Sequence, residues 1–203
     1  MAKENIPHEH CRNYLPHFDN KQYQMITFRL YDSVPQKVIE IWKVQLNQNN
    51  QDINQSENNR RILRLIDQYE DSGYGQCFLK DNEAAKITHD SLHYYNHQKY
   101  NLICWCIMPN HVHVLIEIIG SNSLSTILHG WRSYSSKAIN KVFNRSGKIW
   151  MSEYFDRYIR DLNHFDKVIH YIHNNPVKAG LVSDPSLYRW SSAYREKNEP
   201  IAF

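Results

Sequence analysis

Apolar residues recur along this chain with two different periods, and the switches between them lay out its elements. The stretch QYQMITFRLYDSVP reads as a strand closed by turn residues. PQKVIEIWKVQLNQ follows at near-helical spacing, with Val38, Ile41, Trp42 and Leu46 as its stripe. The polar tract around 47–59, NQNNQDINQSENN, has no core-forming pattern and is expected to be an inserted loop before a second helix around Ile62 to Tyr69. DNEAAKITHDSLHYYNHQKY opens on an Asp cap and carries a third helical pattern. Then come a strand from Asn101 to Met108, a Pro-Asn turn and a strand from His111 to Ile118, which together predict a β-hairpin. A long helix from about Ser123 to Phe143, a strand in EYFDRYIRD and a last amphipathic helix in NHFDKVIHYIHNNP complete the order.

Strand, helices, strand, strand, helix, strand, helix is the β-α-β-β-α-β plan of an α+β, ferredoxin-like fold. It predicts an antiparallel sheet with helices on one face and a surface for a site on the other. With 203 residues, 41% of them hydrophobic, one core suffices, so residues 1–203 are read as a single domain. The first residues lack the apolar segment of a signal peptide and no apolar run reaches membrane length, so a cytoplasmic protein with no membrane partner is expected. Four cysteines, Cys11, Cys77, Cys104 and Cys106, are too few and too irregular for a disulfide framework.

The chemistry begins with two histidines inside the hairpin. On a strand, His111 and His113 share one face while Val112, Val114, Ile116 and Ile118 take the other. Two imidazoles on one face can chelate a divalent metal, or they can be satisfied core histidines. A two-residue turn also sets Cys106 opposite His113, with Cys104 one step further along that face, so a structural zinc on Cys104, Cys106, His111 and His113 is a second reading. In the last helix Phe165, Val168, Ile169 and Ile172 form the buried stripe, and Tyr171 and Asn175 stand one turn apart on its flank. Propensity alone makes Tyr171 an amphipathic packing residue, and Asn175, just before Pro176, the N-cap of a separate short turn, PVKAG.

Charge adds a partner. The formal net charge is only +3, but basic residues outnumber acidic ones between Gly130 and Gly180. That excess either contacts phosphates or forms a solvated helix face.

Several motifs then agree in order. MPNHVHVLIEI, GKIWMSEYFDRYIRD, HFDKVIHYIHNNPVKAGLV and YRWSSAY, with NYLPHFDNKQYQMITFRLYDSVP and DSGYGQCFLKD upstream, closely resemble the single-tyrosine HUH transposases, specifically the REP-associated tyrosine transposases. The resemblance covers most of the chain apart from the Asn/Gln-rich stretch and the termini. It implies that Tyr171 is the nucleophile, and that His111, His113 and Asn175 hold a divalent metal, Mg2+ or Mn2+. It implies single-stranded DNA hairpins of REP type as partner, cleaved and rejoined through a 5′-phosphotyrosine, and a monomer or homodimer. The family commonly has small apolar residues where this chain has Cys104 and Cys106, which argues for core rather than zinc. Arg132, Lys137 and Lys141 on the long helix, with Arg157 and Arg160 in the last strand, are the expected phosphate contacts. The alternative of another class is a catalytically idle nucleic-acid-binding module on the same fold.

Overall fold

The computed structural model describes residues 9–12, 15–18, 22–49 and 55–196. Strands β3 (Tyr23–Leu30), β4 (Tyr100–Ile107), β5 (His111–Ile118) and β6 (Trp150–Tyr158) form one sheet in the order β4-β5-β3-β6, with every neighbouring pair antiparallel. The two central strands are the first and third of the four, which is the ferredoxin-like arrangement that the element order predicts. Ahead of it, β1 (Glu9–Arg12) and β2 (Leu15–Phe18) pair antiparallel as a separate small ladder. They were not expected, because four-residue segments carrying His and Pro show no alternation long enough to recognise.

Register follows from burial. Val112, Val114 and Ile116 are completely buried and pack with Ile26 and Phe28 against helices α3 (Asn82–His93) and α4 (Leu124–Val142). Each such side chain contributes about 1.5–3 kcal/mol. A one-residue slip of β5 would turn His111 and His113 into this apolar core in place of the valines, so the alternation pins the histidines to the opposite face. Polar groups in this core are satisfied: Trp131 Nε1 donates to the Tyr100 hydroxyl, which donates to the Leu92 carbonyl. The Asp81 cap of α3 accepts from the Glu83 and Ala84 N–H groups, as its sequence predicts.

The face carrying the histidines is also covered, where the pattern left it free for a site. Helix α5 (Leu162–Lys178) lies across it, packing Val168 and Ile172 on Met25, Leu115, Cys104, Cys106 and Met108. Helices α1 (Gln36–Asn49) and α2 (Gln55–Asp71) form a third cluster through Ile39, Ile62 and Ile66, with Phe155 of β6 against it. The loop expected at 47–59 is therefore helical at both ends, and 50–54 lie outside the described residues. The stripe of α1 is rotated from the expected one: Ile39 is fully buried and Ile41 is exposed, because α2 meets the Ile39, Trp42 and Leu46 side. No helix among the described residues is long and apolar enough to cross a membrane.

Candidate active site

The two histidines meet. Their Nε2 atoms are 3.0 Å apart, and both rings are held from behind. His111 Nδ1 lies 2.7 Å from Asn110 Oδ1, and the Asn110 amide is itself oriented by donating to the Glu70 and Tyr74 carbonyls. An amide oxygen only accepts, so Nδ1 of His111 carries the proton and Nε2 presents a lone pair. On the neighbouring strand Thr27, the register partner of His113, places its hydroxyl 2.7 Å from His113 Nδ1. This is how metal-binding imidazoles are oriented from outside. Burial, then the neighbouring His113, Lys178 and Arg29 charges, hold the His111 pKa well below its ordinary range. Burial and Lys178 bring His113 down to about 3. Both rings are thus neutral at physiological pH, the state a metal ligand needs.

Helix α5 supplies the rest, starting from Asp161, whose side chain accepts from the His164 N–H. The Tyr171 ring lies edge-on to His113, 5.3 Å between centroids. One turn later Asn175 is 1% exposed; its Nδ2 donates to the Tyr171 carbonyl, while its Oδ1 has no hydrogen-bond partner among the described residues. A buried amide oxygen in that condition is costly and fits a cation ligand. The reading of Asn175 as cap of a separate PVKAG turn does not hold: α5 runs on through Pro176 and ends past Lys178, where Gly180 takes a positive φ. Among the described residues no three His, Cys, Asp or Glu side chains converge as a metal site.

Sequence reasoning missed the acidic end of α2. Burial first, then Asp67 and Asp71, push the Tyr171 hydroxyl well above its usual range, partly offset by the Asn175 amide. Asp67 is itself raised to about 6 by burial. Glu70 faces Arg29, the register partner of His111, at 3.6 Å, and burial outweighs that cation, raising its pKa to about 8. Lys178 closes the side with a 2.5 Å bond to Asp71. The spacing of Asp67, Glu70 and Asp71 marked one acidic helix face, but nothing in the sequence said where that face would dock.

The zinc reading of the hairpin loses its donors. Cys106 is indeed the register partner of His113, yet both cysteines lie in the apolar cluster under α5, and His113 Nε2 is directed at His111. Burial pushes the Cys104 thiol up to about 12 and Cys106 higher still, so the thiolates zinc requires are disfavoured.

The expected phosphate contacts divide. Arg157 is exposed and, by register with Met25, stands on the histidine face; Arg160 is exposed just beyond β6. Lys137 and Lys141 are exposed on α4, behind the sheet. Arg132 donates to the Met151 and Ser152 carbonyls and lies over the Tyr154 ring, which ties it to the start of β6.

Comparison with known proteins completes the picture. The IS200-like transposase family matches residues 76–175, a stretch that contains His111, His113, Tyr171 and Asn175. A curated Haemophilus influenzae protein, named as a candidate REP-associated tyrosine transposase, is 26% identical over 115 residues, covering 52% of this chain and 65% of its own length. The chain thus spans slightly less than two thirds of that relative. A REP-associated tyrosine transposase solved bound to a REP hairpin superposes with a TM-score of 0.56 at 14% identity, covering 91% of this chain and 81% of that one, which is a likeness of fold. Residues 76–175 thus match the IS200-like transposase family, and the protein that this chain resembles within it is a REP-associated tyrosine transposase.

Proposed function

We propose that the protein is a divalent-metal-dependent endonuclease and strand transferase that acts on single-stranded DNA at REP-type hairpins, in the cytoplasm, through a 5′-phosphotyrosine. The observation that carries this reading is the convergence of two neutral, externally oriented imidazoles with a tyrosine against one of them and an orphaned amide oxygen one turn away. His111, His113 and Asn175 would hold the metal, which supplies charge to polarise the scissile phosphodiester. Imidazole ligands favour Mn2+ over Mg2+, and the family resemblance favours Mg2+, so both ions belong in the assay.

The chain's own groups do the rest. The Tyr171 oxygen attacks phosphorus, the bond to the 3′ oxygen breaks, and the proton lost by the phenol is balanced by the one the 3′ hydroxyl gains. The covalent ester retains the energy of the broken bond, so a second 3′ hydroxyl can reverse the step without a nucleotide cofactor. Burial, Asp67 and Asp71 hold the resting hydroxyl protonated, so the free protein keeps its nucleophile inactive. Arg157 and Arg160 follow the single strand on the site's side. Lys137 and Lys141 meet the hairpin's phosphates over α4, and Arg132, tied to the start of β6, stands beside them.

Incubating the protein with a single-stranded hairpin oligonucleotide and Mn2+ or Mg2+, then running a denaturing gel, tests the reading. Wild type should give a covalent adduct, and Tyr171→Phe should give none while binding the hairpin within about twofold of wild type. Adduct at wild-type level in Tyr171→Phe would move the nucleophile to Tyr158 or Tyr154. Binding without adduct in wild type would leave an idle binding module.

A further inference from the structure

A second polar cleft lies at the same end of the sheet as the histidines. It has a volume of about 180 Å3 and is lined by Tyr31, Asp32, Gln76, Phe78, Arg145 and Lys148, over a floor of Leu30 and Ile149. That is too small for a drug-sized molecule, whose pockets start at about 300 Å3, and of the right order for one planar base.

Its walls are fixed before any ligand arrives. Gly75 has φ +86°, and a Cβ there would come within 2.7 Å of the Asp32 carbonyl oxygen, so only glycine allows the loop before Gln76 to close on Asp32. The Gln76 N–H then donates to Asp32 Oδ2 at 2.8 Å. On the other wall, Asn144 and Gly147 both take positive φ, and the Asn140 amide donates to the Gly147 carbonyl, setting the loop that carries Arg145 and Lys148. Arg145 lies 4.7 Å over the Phe78 ring, and Lys148 lies 5.3 Å over the ring of Tyr31, itself 52% exposed.

The cleft is next to the candidate active site through three consecutive residues. Arg29 is the register partner of His111, the Leu30 N–H donates to the Asn110 carbonyl, and the Tyr31 N–H donates to the Ile149 carbonyl in the cleft floor. Asn110 orients His111, so β3 carries the site on one side and the cleft on the other.

The donor set selects a ligand class. Two cations suit a phosphate, and the open tyrosine ring suits a stacked base. The Asp32 carboxylate would repel a bare anion; it can only accept, and so calls for a partner presenting N–H groups. A nucleotide whose base carries an amino group meets all three conditions. Guanine, with a ring N–H and an amino group side by side, matches a carboxylate with two hydrogen bonds, whereas thymine opposes it with carbonyl oxygens. We propose that this cleft seats one nucleotide of the bound single strand, guanine by preference, with its phosphate on Arg145 and Lys148, its ring on Tyr31 and its base edge on Asp32. The inference rests on the reading of the chain as a single-strand DNA enzyme and gives that reading a base-selective subsite.

The test measures binding separately from cleavage, by fluorescence anisotropy of the full chain with a thymine 12-mer containing one central guanine, and with the same oligomer carrying inosine there, which lacks only the amino group. Wild type should bind the guanine oligomer roughly 5- to 20-fold more tightly than the inosine one. Asp32→Asn, which keeps an acceptor for the Gln76 N–H, should erase that ratio, and Lys148→Gln should weaken both oligomers alike. Equal affinity of wild type for the two oligomers overturns the proposal. So does a response to Lys148→Gln with a ratio indifferent to Asp32→Asn, which would reduce the cleft to a phosphate contact. Guanine discrimination without a covalent adduct on hairpin DNA would uphold the cleft and refute the nuclease; adduct without discrimination would do the reverse.

Discussion

Asn175 is the residue at which packing and chemistry can be separated. It is buried, with its amide nitrogen bonded to the Tyr171 carbonyl and its oxygen unmatched among the described residues. Removing the side chain deletes one ordinary hydrogen bond, worth about 1 kcal/mol, and also relieves an unsatisfied oxygen, so Asn175→Ala should change thermal stability little. Metal dependence should change far more. The Mn2+ concentration for half-maximal cleavage is expected to rise at least tenfold in Asn175→Ala. Asn175→Asp should retain Mn2+ affinity and still cleave slowly, because its charge opposes the scissile phosphate. Cleavage rate titrated against Mn2+ for the three proteins checks this; coincident curves would remove Asn175 from the metal site.

At the scale of elements, α2 and α5 make the histidine face into a site. Helix α5 is held by its apolar stripe, and α2 reaches in through Glu70, whose carbonyl receives Asn110 and whose carboxylate faces Arg29. Docking an acidic helix end against the buried histidine face costs stability in a pH-dependent way. The Asp67 carboxyl is raised from 3.8 to about 6, so the folded chain binds more protons than the unfolded chain between those values. Its contribution to stability is therefore greatest below pH 3.8 and declines as pH rises to about 6. The cost relative to an uncharged side chain reaches about 2 kcal/mol, allowing for partial exposure. Asp67→Asn should gain on wild type as pH rises from 4 to 7, and denaturant melts at several pH values read this directly. A constant difference between the two proteins would show that Asp67 titrates normally.

Taken whole, the molecule carries two basic regions in different layers. Arg157 and Arg160 lie on the histidine side, while Lys137 and Lys141 ride on α4 behind the sheet. A hairpin is bulky enough to touch both, and an unpaired strand need touch only the first. Salt titration separates them. Arg157→Gln should lower the slope of log affinity against log salt by about 0.7 for hairpin and unpaired oligonucleotides alike. Lys137→Gln with Lys141→Gln should lower it for the hairpin only. Equal effects on both DNAs would mean that the strand itself crosses α4.

Much of this was legible from residue order. Alternation in HVHVLIEI decides which face of β5 holds the histidines, because a period-two strand with Val112, Val114 and Ile116 buried has a single acceptable register. Helical spacing in HFDKVIHYIHNNP sets Tyr171 and Asn175 one turn apart beside a buried stripe, and the element order dictates the strand arrangement, since local periodicity and short connections are properties of the chain itself. What only the tertiary structure decided is what long-range docking brings together. It chose the apolar cluster for Cys104 and Cys106 over a metal, carried α5 through Pro176, tied Arg132 to β6, and set Asn110 between the end of α2 and His111. It also placed Asp67, Glu70 and Asp71 where they act on Tyr171, and closed the Tyr31–Asp32–Lys148 cleft from segments far apart in the chain. A helix face announces in sequence that it is acidic or apolar; which surface it meets depends on how the apolar areas of all the elements are buried at once.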